Sequence, residues 1–344
     1  MTYSLLEAQL LDVIARPDGA LPEEEFNAVA LAVHHFQREN NPPYRQFCAF
    51  EKTPVALQSW RDIPAVPTGA FRHAALRAFP QAETRATFHT SGTTGEGHGS
   101  HHFRSLRLYE ASILRAWKTL GIPALPQVLL TPRPGDAPHS SLSHMMGTLG
   151  TLGAQTWCLD AGGALDLAAF RRAAASGPLL VLGTALSFLH LFERLGNDPA
   201  RLAPGSMAME TGGYKGTGRT LTKPELYAQF SKTLGLAPDA ILNEYSMTEL
   251  SSQWYTRGLG HPHYGPDWTR AVVIDPETGM EAPEGERGML RLFDLANLGS
   301  VLAIQTQDLA IRRGAGFELL GRDPAAIPRG CSRSADELLR GGNA

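Results

Sequence analysis

Apolar residues recur at helical spacing from the start of the chain. Leu6, Leu10, Val13 and Ile14 share one face over 4–15, and Pro17–Gly19 closes that segment. Phe26, Val29, Ala30, Val33 and Phe36 predict a second helix over 23–38, broken by Asn40–Pro43. Cys48–Pro67 has no clear period and reads as a packed, irregular connection. Beyond it, short apolar runs alternate with helical patterns. Strands are predicted at 86–89, 128–131, 156–160, 179–184, 206–210 and 241–244, and helices at 106–120, 165–175, 185–195 and 223–234. That alternation predicts an α/β fold with a largely parallel sheet. After about Gly260 the pattern becomes short strand-like runs at 271–275, 288–294, 301–305 and 309–312, with a turn at Pro276–Gly279. The expected organisation is a helical N-terminal segment with an α/β core over 1–260, a β-rich subdomain over 261–323, and a C-terminal arm over 324–344.

Composition narrows the function classes. Lys plus Arg is 31 against 34 for Asp plus Glu, a formal net charge of -3, which argues against a protein that coats nucleic acid or an anionic membrane. No apolar stretch approaches the roughly 18 residues that span a bilayer. The first twenty residues carry Glu7 and Asp12 with no basic lead before an apolar run, so no secretory signal is expected and the cytoplasm is the expected compartment. Cys48, Cys158 and Cys331 lie far apart and form no CxxC pair, against a disulfide scaffold.

The sharpest local signal is Thr90-Ser91-Gly92-Thr93-Thr94-Gly95 after a predicted strand. Glycines let backbone N–H groups close on an anion, and the hydroxyls of Ser91, Thr93 and Thr94 add donors, a combination suited to phosphate oxygens. The GxxxxGK[ST] pattern of a Walker loop is absent. A plain Gly/Ser/Thr surface loop is the alternative. His98, His101 and His102 cluster nearby, but no Cys or carboxylate completes a tetrahedral zinc set.

Ser91–Gly95 resembles the phosphate-binding signature of adenylate-forming enzymes, the superfamily of acyl-CoA synthetases, firefly-type luciferases and peptide-synthetase adenylation domains. Further motifs follow in order: Glu244-Tyr245-Ser246-Met247-Thr248-Glu249 is similar to Y-G-x-T-E, Thr306-Gln307-Asp308 to T-G-D, and Gly321-Arg322-Asp323 to G-R-x-D. Ser246 and Gln307 stand where the superfamily usually has Gly. Trp60-x-x-Ile63-Pro64, Thr211–Gly216, Thr248–Gln253 and Arg329-Gly330-Cys331-Ser332 narrow the resemblance to the acyl-protein synthetase (LuxE-type) family, from about residue 45 to the end.

The resemblance implies the large-domain fold of that superfamily, with parallel-rich sheets, helices and a small β-rich subdomain. It implies ATP and Mg2+, a carboxylic acid substrate with a fatty acid as the favoured reading, and an acyl-CoA-reductase-like protein partner. Ser91, Gly92, Thr93, Thr94 and Gly95 would hold phosphates, Thr248 would bond a phosphate oxygen, and Glu249 would bind magnesium. Asp308 would accept from both ribose hydroxyls. Arg322 would either steady ribose or phosphate or serve a surface ion pair. Gly212, Gly213 and Tyr214 would form the adenine slot, and Tyr245 joins the nucleotide set.

Lysine occurs only at 52, 118, 215, 223 and 232, so the mobile lid that carries a catalytic lysine in most relatives is expected to be absent. Lys215 is either its substitute or a solvated side chain. His144 either lines the acyl site or is a core histidine, and Leu142, Met145, Met146 and Leu149 either wall an acyl channel or are plain core. The resemblance implies that Cys331 accepts the acyl group as a thioester, and the flanking Arg329 and Arg333 would favour its nucleophilic thiolate; an incidental free thiol is the alternative. The stretch from Arg322 to Cys331 reaches at most ~30 Å. Cys48 and Cys158 read as buried small hydrophobes. The expected activity is ATP-dependent acyl-protein synthesis through acyl-AMP. The alternatives are direct delivery to coenzyme A or a carrier thiol, and a non-catalytic nucleotide-binding subunit of a reductase complex.

Overall fold

The computed structural model describes residues 1–90, 98–212 and 221–322. In chain order the elements are α1 (Tyr3–Ala15), α2 (Glu23–Asn40), α3 (Pro42–Phe50), β1 (Val66–Pro67), β2 (Ala86–His89), β3 (Ser100–Phe103), α4 (Arg107–Thr119), β4 (Gln127–Leu130), α5 (Ser141–Thr148), β5 (Gln155–Trp157) and α6 (Leu167–Ala174). They continue with β6 (Leu180–Thr184), α7 (Ala185–Leu195), β7 (Met207–Thr211), α8 (Lys223–Leu234), β8 (Ile241–Tyr245), β9 (Trp254–Arg257), β10 (Thr269–Ile274), β11 (Arg287–Asp294), β12 (Ala303–Arg313) and β13 (Gly316–Arg322). Two compact units result. Among the described residues, unit 1 takes those of Met1–Thr119, Met247–Gln253 and Pro262 to Arg322; unit 2 takes those of Leu120–Ser246 and Trp254–His261.

Unit 1 does not follow the linear division expected at residue 260. The apolar faces of α1 and α2 share one core with Trp60 and with Phe293, Leu295 and Leu298 of the β-rich segment. Phe26 meets Trp60 edge-on at 5.5 Å, and Trp60 meets Phe293 at 4.7 Å. The Trp60 indole N–H donates to Glu23 at 2.8 Å, so the ring is buried without an orphaned donor. Three glutamates open α2, where the helix dipole favours negative charge.

Asn40–Pro43 ends α2 as expected, yet it also starts α3. Asn41 accepts from the Tyr44 N–H at 3.2 Å as a cap, and proline is tolerated in a first helical turn because those N–H groups need no partner within the helix. The main sheet of unit 1 runs β1-β12-β11-β10, with β13 also pairing β12. A separate hairpin is made by β2 and β3.

Unit 2 is built on a six-stranded sheet of order β5-β4-β6-β7-β8-β9. Its first five strands are mutually parallel and β9 is antiparallel to β8. Phe170, Phe188, Phe230 and Leu234 from α6, α7 and α8 pack with Val128, Val181 and Ala208 of the strands. The strand interiors are buried almost throughout, as expected for parallel strands covered by helices.

Candidate functional site

In unit 1 the glycine-rich loop joins the two antiparallel strands β2 and β3. Strand β3, absent from the sequence-based expectation, follows it. Ser91, Gly92, Thr93, Thr94 and Gly95 lie outside the described residues; the described residues on either side pair with each other. Thr90 N–H donates to the Gly99 carbonyl at 2.9 Å, and Gly99 N–H donates back to Thr90 Oγ1 at 2.9 Å. A Cβ at Gly99 would lie 3.0 Å from that hydroxyl and 3.3 Å from the Phe71 backbone, so glycine suits this approach.

The four histidines around the hairpin go to different partners. His89 meets Ser100 Oγ at 3.1 Å, His98 the Thr90 carbonyl at 3.0 Å, and His102 the Thr87 hydroxyl at 3.1 Å. His101 is buried and its Nδ1 lies 2.7 Å from the Thr248 carbonyl. Burial pulls its pKa down to about 4. The ring is therefore neutral near pH 7, and because a carbonyl only accepts, Nδ1 carries the proton.

The motif around Thr248 is divided. Glu244–Ser246 belong to unit 2, whereas Met247–Gln253 belong to unit 1. Within unit 1 a buried polar network holds it. The Asn297 amide donates to the Glu249 carbonyl at 2.9 Å and accepts from Ser251 Oγ at 3.0 Å. Asp294 accepts from Ser251 N–H at 2.8 Å, from Ser252 Oγ at 2.7 Å and from Ala296 N–H at 3.0 Å. Burial pushes the Asp294 carboxyl up to about 6, and those donors pull against it. Thr248 Oγ1 faces the His89 carbonyl at a long 3.4 Å. The Glu249 residue is 9% exposed.

Among the described residues no group of three His, Cys, Asp or Glu is arranged to hold a metal. A single carboxylate fits magnesium, which is commonly held by one or two carboxylates together with substrate phosphates. Asp294 and Asn297 were not anticipated. The signal available was two buried polar residues inside the otherwise apolar run Leu292–Leu298.

Thr306-Gln307-Asp308 lies within β12, where two separate strands were expected. The β11 pairing slips there: Met289 faces Leu309 and Arg291 faces Gln305, leaving Leu290 opposite Thr306–Asp308. Thr306 Oγ1 donates to the Leu290 carbonyl at 2.7 Å and accepts from Asp308 N–H at 3.1 Å, stitching the bulge together. On the other side Asp308 is register partner to Arg322, so the T-x-D and G-R-x-D motifs meet across β12 and β13. Arg322 Nε is 3.7 Å from Asp308 Oδ1; the aspartate side chain is 14% exposed and the arginine 56%. A second slip, between Leu309 and Ala310, puts Gly321 at φ +98°, where a side chain would be strained. Among the described residues Lys52 is the one non-glycine with positive φ, so Ser246 and Gln307 replace the usual glycines without left-handed backbone.

In unit 2 the relevant residues sit at the carboxyl ends of parallel strands, where open α/β sheets bind ligands. Gly212 leaves β7 at φ +71°, a conformation that favours glycine. Gly213, Tyr214 and Lys215 lie outside the described residues, as does Cys331. Tyr245 is buried at the end of β8, opposite Trp254. His144 is half-buried on α5; Met145, Met146 and Leu149 are buried and Leu142 half-buried.

Two acids were missed here. Glu210 on β7 is fully buried and ion-paired to Lys223, and burial raises its pKa against that attraction. Glu244 on β8 is fully buried, accepts from Thr211 Oγ1, and is pushed up to about 7 by burial. One oxygen of each has no hydrogen-bond partner among the described residues. An acid inside each of the apolar runs Met207–Thr211 and Ile241–Tyr245 was the available signal. Cys48 and Cys158 are buried, and burial pushes both thiols up to about 11, against nucleophilic use.

The chain matches no model of a known protein family. It is 22% identical over 329 residues to the long-chain-fatty-acid–luciferin-component ligase of Vibrio harveyi, covering 90% of this chain and 87% of that protein. Among solved structures it is similar to 2-hydroxyisobutyryl-CoA ligase in complex with its acyl-AMP and CoA, with a TM-score of 0.68, 17% identity, and coverage of 88% of this chain and 69% of that one. ATP-bound MatB from Rhodopseudomonas palustris gives a TM-score of 0.53 at 18% identity over 70% of this chain; the chain spans about half of MatB, 48%. Among the described residues no helix is long and apolar enough to cross a membrane. The chain thus has the α/β fold of the adenylate-forming enzymes, and its similarity to the Vibrio harveyi ligase extends over nine tenths of its length.

Proposed function

We propose that this chain is an ATP-dependent acyl-protein synthetase that activates a carboxylic acid, in the favoured version a fatty acid, as acyl-AMP and transfers the acyl group to its own Cys331. The support that weighs most is its similarity, over 90% of its length, to a ligase whose name specifies long-chain fatty acids.

A carboxylate is a poor electrophile. Attack of its oxygen on the α-phosphorus of ATP forms a carboxylic–phosphoric anhydride and breaks the α–β bridge, releasing pyrophosphate. The protein's task is to position the partners and stabilise developing charge. On this reading Ser91–Gly95 present N–H and hydroxyl donors to phosphate oxygens, and Thr248 adds another. Glu249 holds magnesium, which when bound offsets phosphate charge. Asp308 accepts from the ribose hydroxyls, and Arg322, its cross-strand partner, lies beside the same sugar or phosphate. Gly212, Gly213, Tyr214 and Tyr245 serve adenine. Lys215 contacts the α-phosphate or acyl carboxylate, and His144 lines the acyl side. The Cys331 thiolate then attacks the acyl carbon, a C–S bond forms, the anhydride C–O bond breaks, and AMP leaves with the electron pair. A reductase-like protein is the fitting acceptor for the thioester.

The test is acid-dependent pyrophosphate exchange with acids of increasing chain length. Exchange is expected with fatty acids and overturned by its absence with every acid. Cys331→Ser should retain exchange and lose labelled acyl-protein. Undiminished labelling rejects the thioester role, and turnover with coenzyme A would then favour direct delivery.

A further inference from the structure

Successive peptide carbonyls of the Thr248–Glu249 motif are each held by a buried side-chain donor. His101 Nδ1 reaches the Thr248 carbonyl at 2.7 Å and Asn297 Nδ2 reaches the Glu249 carbonyl at 2.9 Å. Both donors are about 1% exposed, so neither bond is exchanged for water at little cost. His101 is itself fixed between Phe103, at 4.1 Å between ring centres, and Phe71 at 5.8 Å. Asn297 is fixed by Ser251 and by the Val301 carbonyl, which accepts its amide at 2.8 Å.

His101 stands on β3, the strand that receives the chain from the glycine-rich loop, while His89 at the end of β2 faces the Thr248 hydroxyl. Both strands of the hairpin thus approach one peptide segment. Buried carbonyls of an irregular segment need donors, and here two adjacent ones each receive a buried side chain rather than a backbone N–H. A peptide whose neighbouring side chains must point at a charged ligand has reason to be held this way.

We propose that His101 and Asn297 are positioning residues that set the direction in which Thr248 and Glu249 present their oxygens to the magnesium–triphosphate group. This rests on the adenylate-forming reading above and adds residues that touch neither substrate nor metal. The neutral ring matters: burial keeps His101 uncharged, so it serves as a fixed donor and not as an acid or base.

The experiment uses the full chain and pyrophosphate exchange, titrating ATP, free magnesium and the acid separately. Asparagine places an amide N–H near the Nδ1 position, whereas leucine of similar size to histidine has no donor. His101→Leu should raise the half-saturating magnesium and the KM for ATP about 5- to 10-fold, roughly one lost hydrogen bond. The KM for the acid should stay unchanged, and His101→Asn should stay within about two-fold of the parent. Asn297→Ala should reproduce the leucine pattern and decides the matter if His101→Leu does not fold. A structural role alone would lower stability and kcat without moving magnesium dependence. Unaltered magnesium and ATP constants in folded His101→Leu or Asn297→Ala, or an asparagine variant as impaired as leucine, overturn the inference alone. A parent protein that exchanges with no acid overturns the functional reading, and the positioning role falls with it.

Discussion

At the residue scale the least ordinary group is Glu244. Its carboxyl is fully buried on β8 beside Thr211, and burial lifts its pKa from 4.5 to about 7. An acid with a raised folded-state pKa binds its proton more tightly in the native chain than in the unfolded one. Its favourable contribution is therefore present near pH 4–5 and is lost as pH rises toward 7. At 1.36 kcal/mol per unit, the swing is about 3 kcal/mol. Glutamine keeps an acceptor for Thr211 and cannot ionise. The expected outcome is that Glu244→Gln removes about 3 kcal/mol of the decline in unfolding free energy between pH 5 and 8, read by urea titration at each pH. Parallel pH profiles for parent and variant would show that the carboxyl does not titrate in this range.

At the element scale the bulges of β12 and β13 carry the argument. A regular ladder would set Thr306, Gln307 and Asp308 opposite three residues of β11; the slip sets them opposite Leu290 alone, and across β13 Asp308 faces Arg322. Gly321→Ala should cost about 1–3 kcal/mol through strain at positive φ. Because the strain falls on the strand end that holds Arg322, ATP should bind more weakly while acid affinity is kept. Calorimetric titration with each ligand reads this, and unchanged ATP affinity would mean the bulge is only structural.

These bulges also show how much the sequence could tell. Amphipathic periods located α1, α2, α4, α7 and α8 to within a residue or two, and apolar runs located the parallel strands β4 to β8. The long β12 read as two strands because a bulge places polar residues mid-run, where periodicity fails. The hairpin strand β3 and α3 were hidden because Ser100–Phe103 holds two histidines and Pro42–Pro43 resembles a stop. The motif residues Thr248, Glu249, Asp308 and Arg322 were readable as motifs. Asp294, Asn297 and Glu210 were not, and Glu244 was read only as the residue that leads into a motif, since their importance lies in burial and partners distant in sequence.

At the scale of the whole molecule, unit 1 is assembled from the two ends of the chain. Phe26 of α2, Trp60 and Phe293 of β11 form one edge-to-face aromatic cluster, so the N-terminal helices are structural partners of the β-rich segment that carries Asp308. Truncating Phe26, which is fully buried, should cost about 3–5 kcal/mol. If the helices and that sheet form one cooperative unit, the loss will not stay local. Hydrogen exchange followed by mass spectrometry on Phe26→Ala should show peptides from β11 and β12 losing protection together with those from α1 and α2, while peptides from β6 and β7 in unit 2 keep theirs. Protection of β11 and β12 that survives the loss of α2 would mean that the β-rich segment folds by itself. The linear division of the chain at residue 260 would then describe the energetics better than the packing does.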